Sequence, residues 1–316
     1  MFAAAVAKTL MPLVANWQTK FKPINMHKAG FVNIIGKPNA GKSTLSNALV
    51  GEQLSIITPK ASTTRHRILG IINTDEYQMV LSDTPGIIEP AYKLHESMMH
   101  AVKDSIDDAD VLIVLVDVSN PNLKEEHLAM IVAAKSPILL IVNKIDLSTP
   151  AEVSKVINEL SAVINPKEVF AISALHGLDP QTLINRIASY LPEHEAFYPK
   201  DQLTDRNTRF FASEIIREKI FNLYEQEIPY STEVIVHDYK EEQNIDKIYA
   251  YIIVERDSQK GIIVGKNGEG IKRIGTEARK DIEKFVGKKV FLDLRVKVEE
   301  NWRKNELKLK HWGYLE

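Results

Sequence analysis

Cysteine is missing from the 316-residue chain. Its absence excludes disulfides, thiol nucleophiles and cysteine-ligated zinc, and it suits a reducing compartment. Long apolar runs are missing too. The longest buried-looking stretches, Val111–Val116 and Ile138–Val142, are strand-length, far short of the roughly 18–20 residues of a membrane span. No sign of charge dominates: 40 Lys+Arg face 42 Asp+Glu, a formal net charge of −2. The chain as a whole therefore exerts no pull on nucleic acid, and any such role must come from a local patch. Acidic residues are absent ahead of Glu52. That suggests a targeting peptide, but Met1–Lys22 has no Arg, Lys8 interrupts its apolar pieces, and no cleavage site stands out. Residues 1–28 are read as an extension of uncertain role, a leader ahead of Met26.

Short apolar runs alternating with amphipathic stretches occupy residues 29–194. Phe31–Ile35, Ile68–Ile72, Gln78–Leu81, Val111–Val116, Ile138–Val142 and Val169–Ile172 read as strands, with helices between them. Near-continuous apolar strands separated by helices predict a largely parallel sheet covered on both faces, a doubly wound α/β domain. Residues 195–208 carry Pro199, charges and no periodicity, and read as a linker. Residues 209–316 read as a smaller α+β domain: a helix (Phe210–Glu225), strands at Glu233–Tyr239 and Lys247–Glu255, a Gly-rich turn, a helix (Glu269–Phe285) and a strand (Val290–Val298). A C-terminal helix is expected over Glu299–Lys310.

Gly36-Lys37-Pro38-Asn39-Ala40-Gly41-Lys42-Ser43, followed by Thr44, fits G-x-x-x-x-G-K-[ST] between a strand and a helix. There backbone N–H groups and a helix N-terminus cradle phosphate, Lys42 reaches the β/γ oxygens, and Ser43 takes a Mg²⁺ position. Asp83-Thr84-Pro85-Gly86 follows the third strand; the carboxylate suits Mg²⁺ and the Gly86 amide suits the γ-phosphate. Asn143-Lys144-Ile145-Asp146 ends the fifth strand, where the Asp146 carboxylate can accept from N1–H and the 2-amino group of guanine. Ser173-Ala174-Leu175 closes the sixth strand and can offer a backbone N–H to the guanine O6. All four lie at strand C-terminal ends, where open α/β sheets place ligands. They predict a guanine-nucleotide site with Lys42, Thr64, Asp83 and Gly86 as its catalytic set. In the loop Ser62-Thr63-Thr64-Arg65-His66-Arg67, either Thr63 or Thr64 supplies a metal ligand beside Ser43 and Asp83. Ile87 stands where Ras-type enzymes carry a water-orienting glutamine, so intrinsic turnover should be slow. Asn39 is a candidate ligand for a monovalent cation such as K⁺ beside the phosphates.

In the second domain, Gly265-Lys266-Asn267-Gly268 sets a G-x-x-G loop ahead of a helix whose Ile271, Ile274, Ala278, Ile282 and Phe285 form a core stripe. Residues 256–298 hold 12 Lys+Arg against 6 Asp+Glu. Lys266, Lys272 and Arg273 join the loop in a local basic patch suited to single-stranded nucleic acid. The histidines read as surface or loop residues, and Trp302 and Trp312 as packing on the second domain.

These motifs, with Thr-Thr-Arg-His-Arg in the loop and a single C-terminal Gly-Lys-Asn-Gly, resemble the Era family of GTPases from Met26 to the end. The resemblance implies a Ras-like GTPase domain followed by a type II K-homology (KH) domain, with GTP/GDP and Mg²⁺ as ligands. It further implies binding near the 3′ end of 16S rRNA during 30S ribosomal subunit assembly. A monomer is expected in the cytoplasm, with peripheral association at the inner membrane.

Overall fold

The computed structural model describes residues 27–315. β1 (Lys28–Ile35) runs through the phosphate loop into α1 (Lys42–Val50). β2 (Ile68–Asn73) and β3 (Tyr77–Asp83) form a hairpin. Then α2 (Lys93–Asp107), β4 (Val111–Asp117), α3 (Glu125–Val132), β5 (Ile138–Asn143), α4 (Pro150–Ile164), β6 (Glu168–Ala171) and α5 (Pro180–Ala188) alternate. The sheet order is β2-β3-β1-β4-β5-β6, parallel except that β2 runs antiparallel to β3. β1 lies between β3 and β4, so its C-terminal end is the point where the winding reverses and a crevice opens.

Helices on both faces explain the continuous apolar strands. Leu45 and Leu49 of α1 and Leu183, Ile184 and Ile187 of α5 cover one face. Val102 and Ile106 of α2 and Val153, Val156, Leu160 and Ile164 of α4 cover the other. The three-and-four spacing in α4 is what puts its four side chains on one stripe. Thr149 and Glu152 close a capping box at its start, with Pro150 in the first turn.

The linker, residues 195–208, is fastened to the first domain as a strap. Ile71 N–H donates to Leu203 O at 2.8 Å and Leu69 N–H to Asp205 at 3.1 Å, covering the exposed edge of β2. Gln78 holds the Phe197 and Tyr198 backbone at 2.7 and 2.8 Å.

The second domain comprises α6 (Thr208–Leu223), β7 (Glu233–Glu241), β8 (Ile245–Val254), α7 (Asp257–Val264), α8 (Glu269–Val286), β9 (Lys289–Val298) and α9 (Glu306–His311). β8 pairs antiparallel with β7 and parallel with β9. α7 replaces part of the expected Gly-rich turn. Its Ile262-Ile263-Val264 run has weak helix propensity, and burial of Ile263 in the core, with Gln259 accepting from the Glu255 and Arg256 amides, holds the helix. On α8, Ile274, Ala278 and Ile282 are buried, but Phe285 departs from the predicted stripe. It is 42% exposed and packs on the Phe211 ring, while Val286 turns toward the core.

The two domains share a seam. Trp302 is fully buried with Leu94 and Met98 of α2 and Leu309 of α9, and its Nε1 donates to Ser231 O at 3.0 Å. The expected C-terminal helix is broken at Asn305, which caps α9 through Lys308 N–H. His66, read as a surface or loop residue, lies in a loop, half-buried, and stacks on Tyr314 with ring centres 4.1 Å apart. Burial pushes its pKa down to about 4, against the nearby Glu214 and Glu233 carboxylates. Among the described residues no helix is long and apolar enough to cross a membrane.

Candidate nucleotide and RNA sites

The phosphate loop leaves the C-terminal end of β1 at the crevice. Gly41 is required there: its φ is 99°, and a Cβ would lie 2.3 Å from Asn143 Nδ2. Lys42 is buried and folds over the loop, donating to Gly36 O and Lys37 O at 3.1 and 2.9 Å. Burial lowers its pKa to about 8, opposed by the Asp83 charge. Ser43 Oγ donates to Asp83 Oδ2 at 2.7 Å and lies 2.9 Å from Thr64 Oγ1. The other carboxylate oxygen, Asp83 Oδ1, is buried without a hydrogen-bond partner. Burial raises the Asp83 pKa, against the nearby Ser55 and Ser43 hydroxyls and the Lys42 charge. A buried, unpartnered carboxylate oxygen beside two hydroxyls is a donor set that fits Mg²⁺, a hard cation preferring oxygen.

Of the two candidate threonines, Thr64 puts its hydroxyl at Ser43. The Thr63 hydroxyl faces away, 2.6 Å from Thr58 Oγ1 and donating to Lys60 O at 2.8 Å. Ile87 is buried among the apolar side chains under the sheet, and its N–H donates to Gly36 O, which ties the Asp83–Gly86 segment to the phosphate loop. Thr84 points inward to Ile34 O at 2.6 Å. The Lys37 ammonium leaves the loop for Asn120 Oδ1 at 2.6 Å. Asn39 donates through Nδ2 to Pro59 O at 2.9 Å.

A cavity of about 550 Å³ continues from this loop to the ends of β5 and β6. Pro38, Asn39, Gly41, Lys42, Ser43, Thr44 and Gly86 line one end, and Asn143, Lys144, Asp146, Ser173, Ala174 and Leu175 the other. Asn143 is a bracket: Nδ2 donates to Ala40 O at 2.8 Å, and Oδ1 accepts from Ala174 N–H at 2.9 Å. The Ala174 amide, a candidate donor to the guanine O6, is thus held by Asn143 in this arrangement. Lys144 has a left-handed backbone (φ 63°) and pairs with Asp117 at 2.6 Å. Asp117 was not singled out in the sequence; its place at the end of β4, next in register to Asn143, is the signal that marks it. Leu147 also lines the cavity and is 66% exposed, an apolar contribution beside that of Leu175 that the motifs do not mark.

The G-x-x-G loop lies between α7 and α8. Gly265 is needed for its φ of 71° and because a Cβ would come 2.8 Å from Gly270 N. Asn267 and Gly268 continue in left-handed conformation. Beside the loop, α8 and β9 bound a cleft of about 310 Å³ lined by Ile271, Lys272, Gly275, Thr276, Arg279, Leu292 and Leu294. Arg273 lies outside it, paired with Glu277 at 3.1 Å. Leu292 and Leu294, which alternate along β9 with Phe291 and Asp293, pack against the core and also wall the cleft.

A phosphate loop at the switch point of the sheet, a cavity ending at Asp146 and a G-x-x-G cleft define a P-loop GTPase joined to a KH domain. Residues 31–144 match the family model described as a 50S ribosome-binding GTPase, and residues 227–303 match the KH domain model. The chain is 46% identical over 294 residues to the chloroplastic GTPase ERA1 of Zea mays, covering 91% of this chain and 71% of that one. It is 40% identical to GTPase Era of Carboxydothermus hydrogenoformans, covering 92% and 99%. A crystal structure of Era with MgGDPNP and nucleotides 1506–1542 of 16S ribosomal RNA superposes with TM-score 0.86 at 39% identity, covering 91% and 99%. An Aquifex aeolicus Era variant bound to GDP and AlF4⁻ gives 0.85 at 38% identity, covering 91% and 99%. The chain belongs to the Era family of GTPases. It hydrolyses GTP to GDP and phosphate.

Proposed function

We propose that this GTPase acts in assembly of the 30S subunit, gripping 16S rRNA near its 3′ end through the KH cleft under control of the bound nucleotide. The observation that carries this reading is the pairing, in one chain, of the 550 Å³ cavity with the G-x-x-G cleft. The match to Era in complex with a 16S rRNA fragment supports the choice of RNA. At the first site Lys42 meets the β- and γ-phosphoryl oxygens, and Asp146 reads the guanine edge. Ser43, Thr64 and Asp83 hold Mg²⁺, which when bound neutralises charge on the phosphoryl oxygens. The Gly86 amide faces the terminal phosphate. With Ile87 in the core, no side chain at that position orients water, and turnover without a partner is slow. Asn39 Oδ1 contributes to a K⁺ site.

At the second site Gly265–Gly268 clamp the RNA backbone, with Lys266, Lys272 and Arg279 supplying charge. The working form is a monomer in the cytoplasm, with peripheral contact at the inner membrane. RNA crosslinking in cells, with sequencing of the adducts, tests the target. Adducts concentrated at the 3′ end of 16S rRNA are expected; adducts spread evenly over all RNAs would refute the reading. Replacing K⁺ by Na⁺ tests Asn39: turnover should fall, and unchanged turnover removes the site.

A further inference from the structure

The loop that carries Thr64 also reaches into the KH domain. Its backbone is a closed turn, tied by the Thr58–Thr63 hydroxyl pair and by Thr63 Oγ1 donating to Lys60 O. Lys60 stands at the tip. Its ammonium donates to two carbonyls of the KH domain, Phe221 O and Tyr224 O. These belong to the last turn of α6 and the residue that follows it, where carbonyls lack intrahelical partners and the helix dipole is negative. A lysine of one domain therefore caps a helix of the other.

Tyr224 carries the contact onward. Its hydroxyl donates to Ile263 O at 3.1 Å, in the last turn of α7 before Gly265. On the far side of the loop, a Cβ built on Gly270 would lie 2.9 Å from the same hydroxyl. The Tyr224 side chain thus touches both helix ends that carry the G-x-x-G loop. At the other end of the path, Asn39 of the phosphate loop holds Pro59 O, the residue before Lys60, and Thr64 sits at Ser43.

We propose that Lys60 is the positioning residue that couples the nucleotide site to the RNA loop, by capping α6 and thereby setting Tyr224 beneath Gly265–Gly268. The inference rests on the nucleotide-switched reading above and names the link that reading lacks. When the Thr63–Thr64 turn shifts with the terminal phosphate, the cap is made in one arrangement of the domains and lost in the other. The nucleotide then biases the loop without touching it, and RNA must bias nucleotide affinity equally.

The test uses the full chain and a fluorescent RNA matching nucleotides 1506–1542 of 16S rRNA, with GDP or a non-hydrolysable GTP analogue bound. Wild type should show at least about a fivefold difference in RNA affinity between the two nucleotides. RNA should change the analogue-to-GDP preference by the same factor. Lys60→Ala should bring both ratios close to one while leaving the rate of GTP hydrolysis without RNA unchanged, and Lys60→Arg should restore them. Tyr224→Phe, which deletes only the hydroxyl, should reduce the ratios in the same direction, with no further loss when combined with Lys60→Ala. Wild-type ratios retained by Lys60→Ala would overturn the link and leave the switch standing. A wild-type ratio of one would overturn the switch, and the link with it.

Discussion

Lys42 and Asp146 mark the two ends of the nucleotide cavity and differ in what their surroundings do to them. Lys42 is buried, with its pKa lowered to about 8, and phosphate would favour its charged form. Nucleotide binding should therefore take up a proton, and affinity should fall as pH rises through about 8. The sign for folding is opposite: between about 8 and 10.5 the unfolded chain binds more protons, so the nucleotide-free fold gains stability from this group as pH rises. Titration calorimetry in buffers of different ionisation enthalpy reads the proton uptake, and Lys42→Ala should abolish it. Asp146 is exposed at the cavity's far end, free to accept from a base. Asp146→Asn should cut GTP affinity by at least about a hundredfold and favour xanthine nucleotides, because donors on the base would lose their acceptor. Competition binding of GTP against XTP measures both. Residue by residue, the motifs located Lys42, Ser43 and Asp146 because each carries its chemistry in its own side chain. They did not reveal that Asn143 braces two loops, or that Asp117 anchors Lys144, since those duties depend on neighbours from other strands.

Among the elements, the strands of the first domain were legible because burial on both faces demands unbroken apolar runs. α7 was hidden, since its β-branched residues are helical only through tertiary packing. The cleft walls were hidden for a related reason: Leu292 and Leu294 have the alternation of core residues whether they meet other side chains or a ligand. The G-x-x-G element yields a graded prediction. At Gly268 a Cβ meets nothing within 4 Å, and only its φ of 79° resists substitution. Asp tolerates that region better than most residues. Gly268→Asp should thus keep the KH domain folded and lower RNA affinity by about tenfold or more through charge. Gly265→Asp should cost thermal stability as well, because its Cβ would press on Gly270 N. Filter binding and melting curves on the pair separate the two effects, with GTP hydrolysis unaltered in both.

At the scale of the molecule, the domains are joined by a buried polar lock. Arg65, next to Thr64, donates to Glu233 and Thr232 O at 2.8 Å and to Pro229 O and Tyr230 O at 3.1 and 3.2 Å, under the face of Trp302. Removing one partner would strand a carboxylate out of water. Arg65→Ala should cost about 3–5 kcal/mol in stability. In denaturant unfolding, tryptophan emission, which reports the seam around Trp302, should change ahead of the loss of helical circular dichroism. This lock was not legible beforehand, because its members lie more than 160 positions apart in the chain.

The strap has a geometric corollary. Up to Asp205 and Arg206 the connecting chain is fastened to β2 and to the Arg67 carbonyl, so slack begins only at Asn207, the residue that caps α6. The buried seam holds the two domains face to face, and this tether limits how far they could part if the seam opened. A change that broke the seam would turn the second domain about Asn207, like the jaws of a calliper.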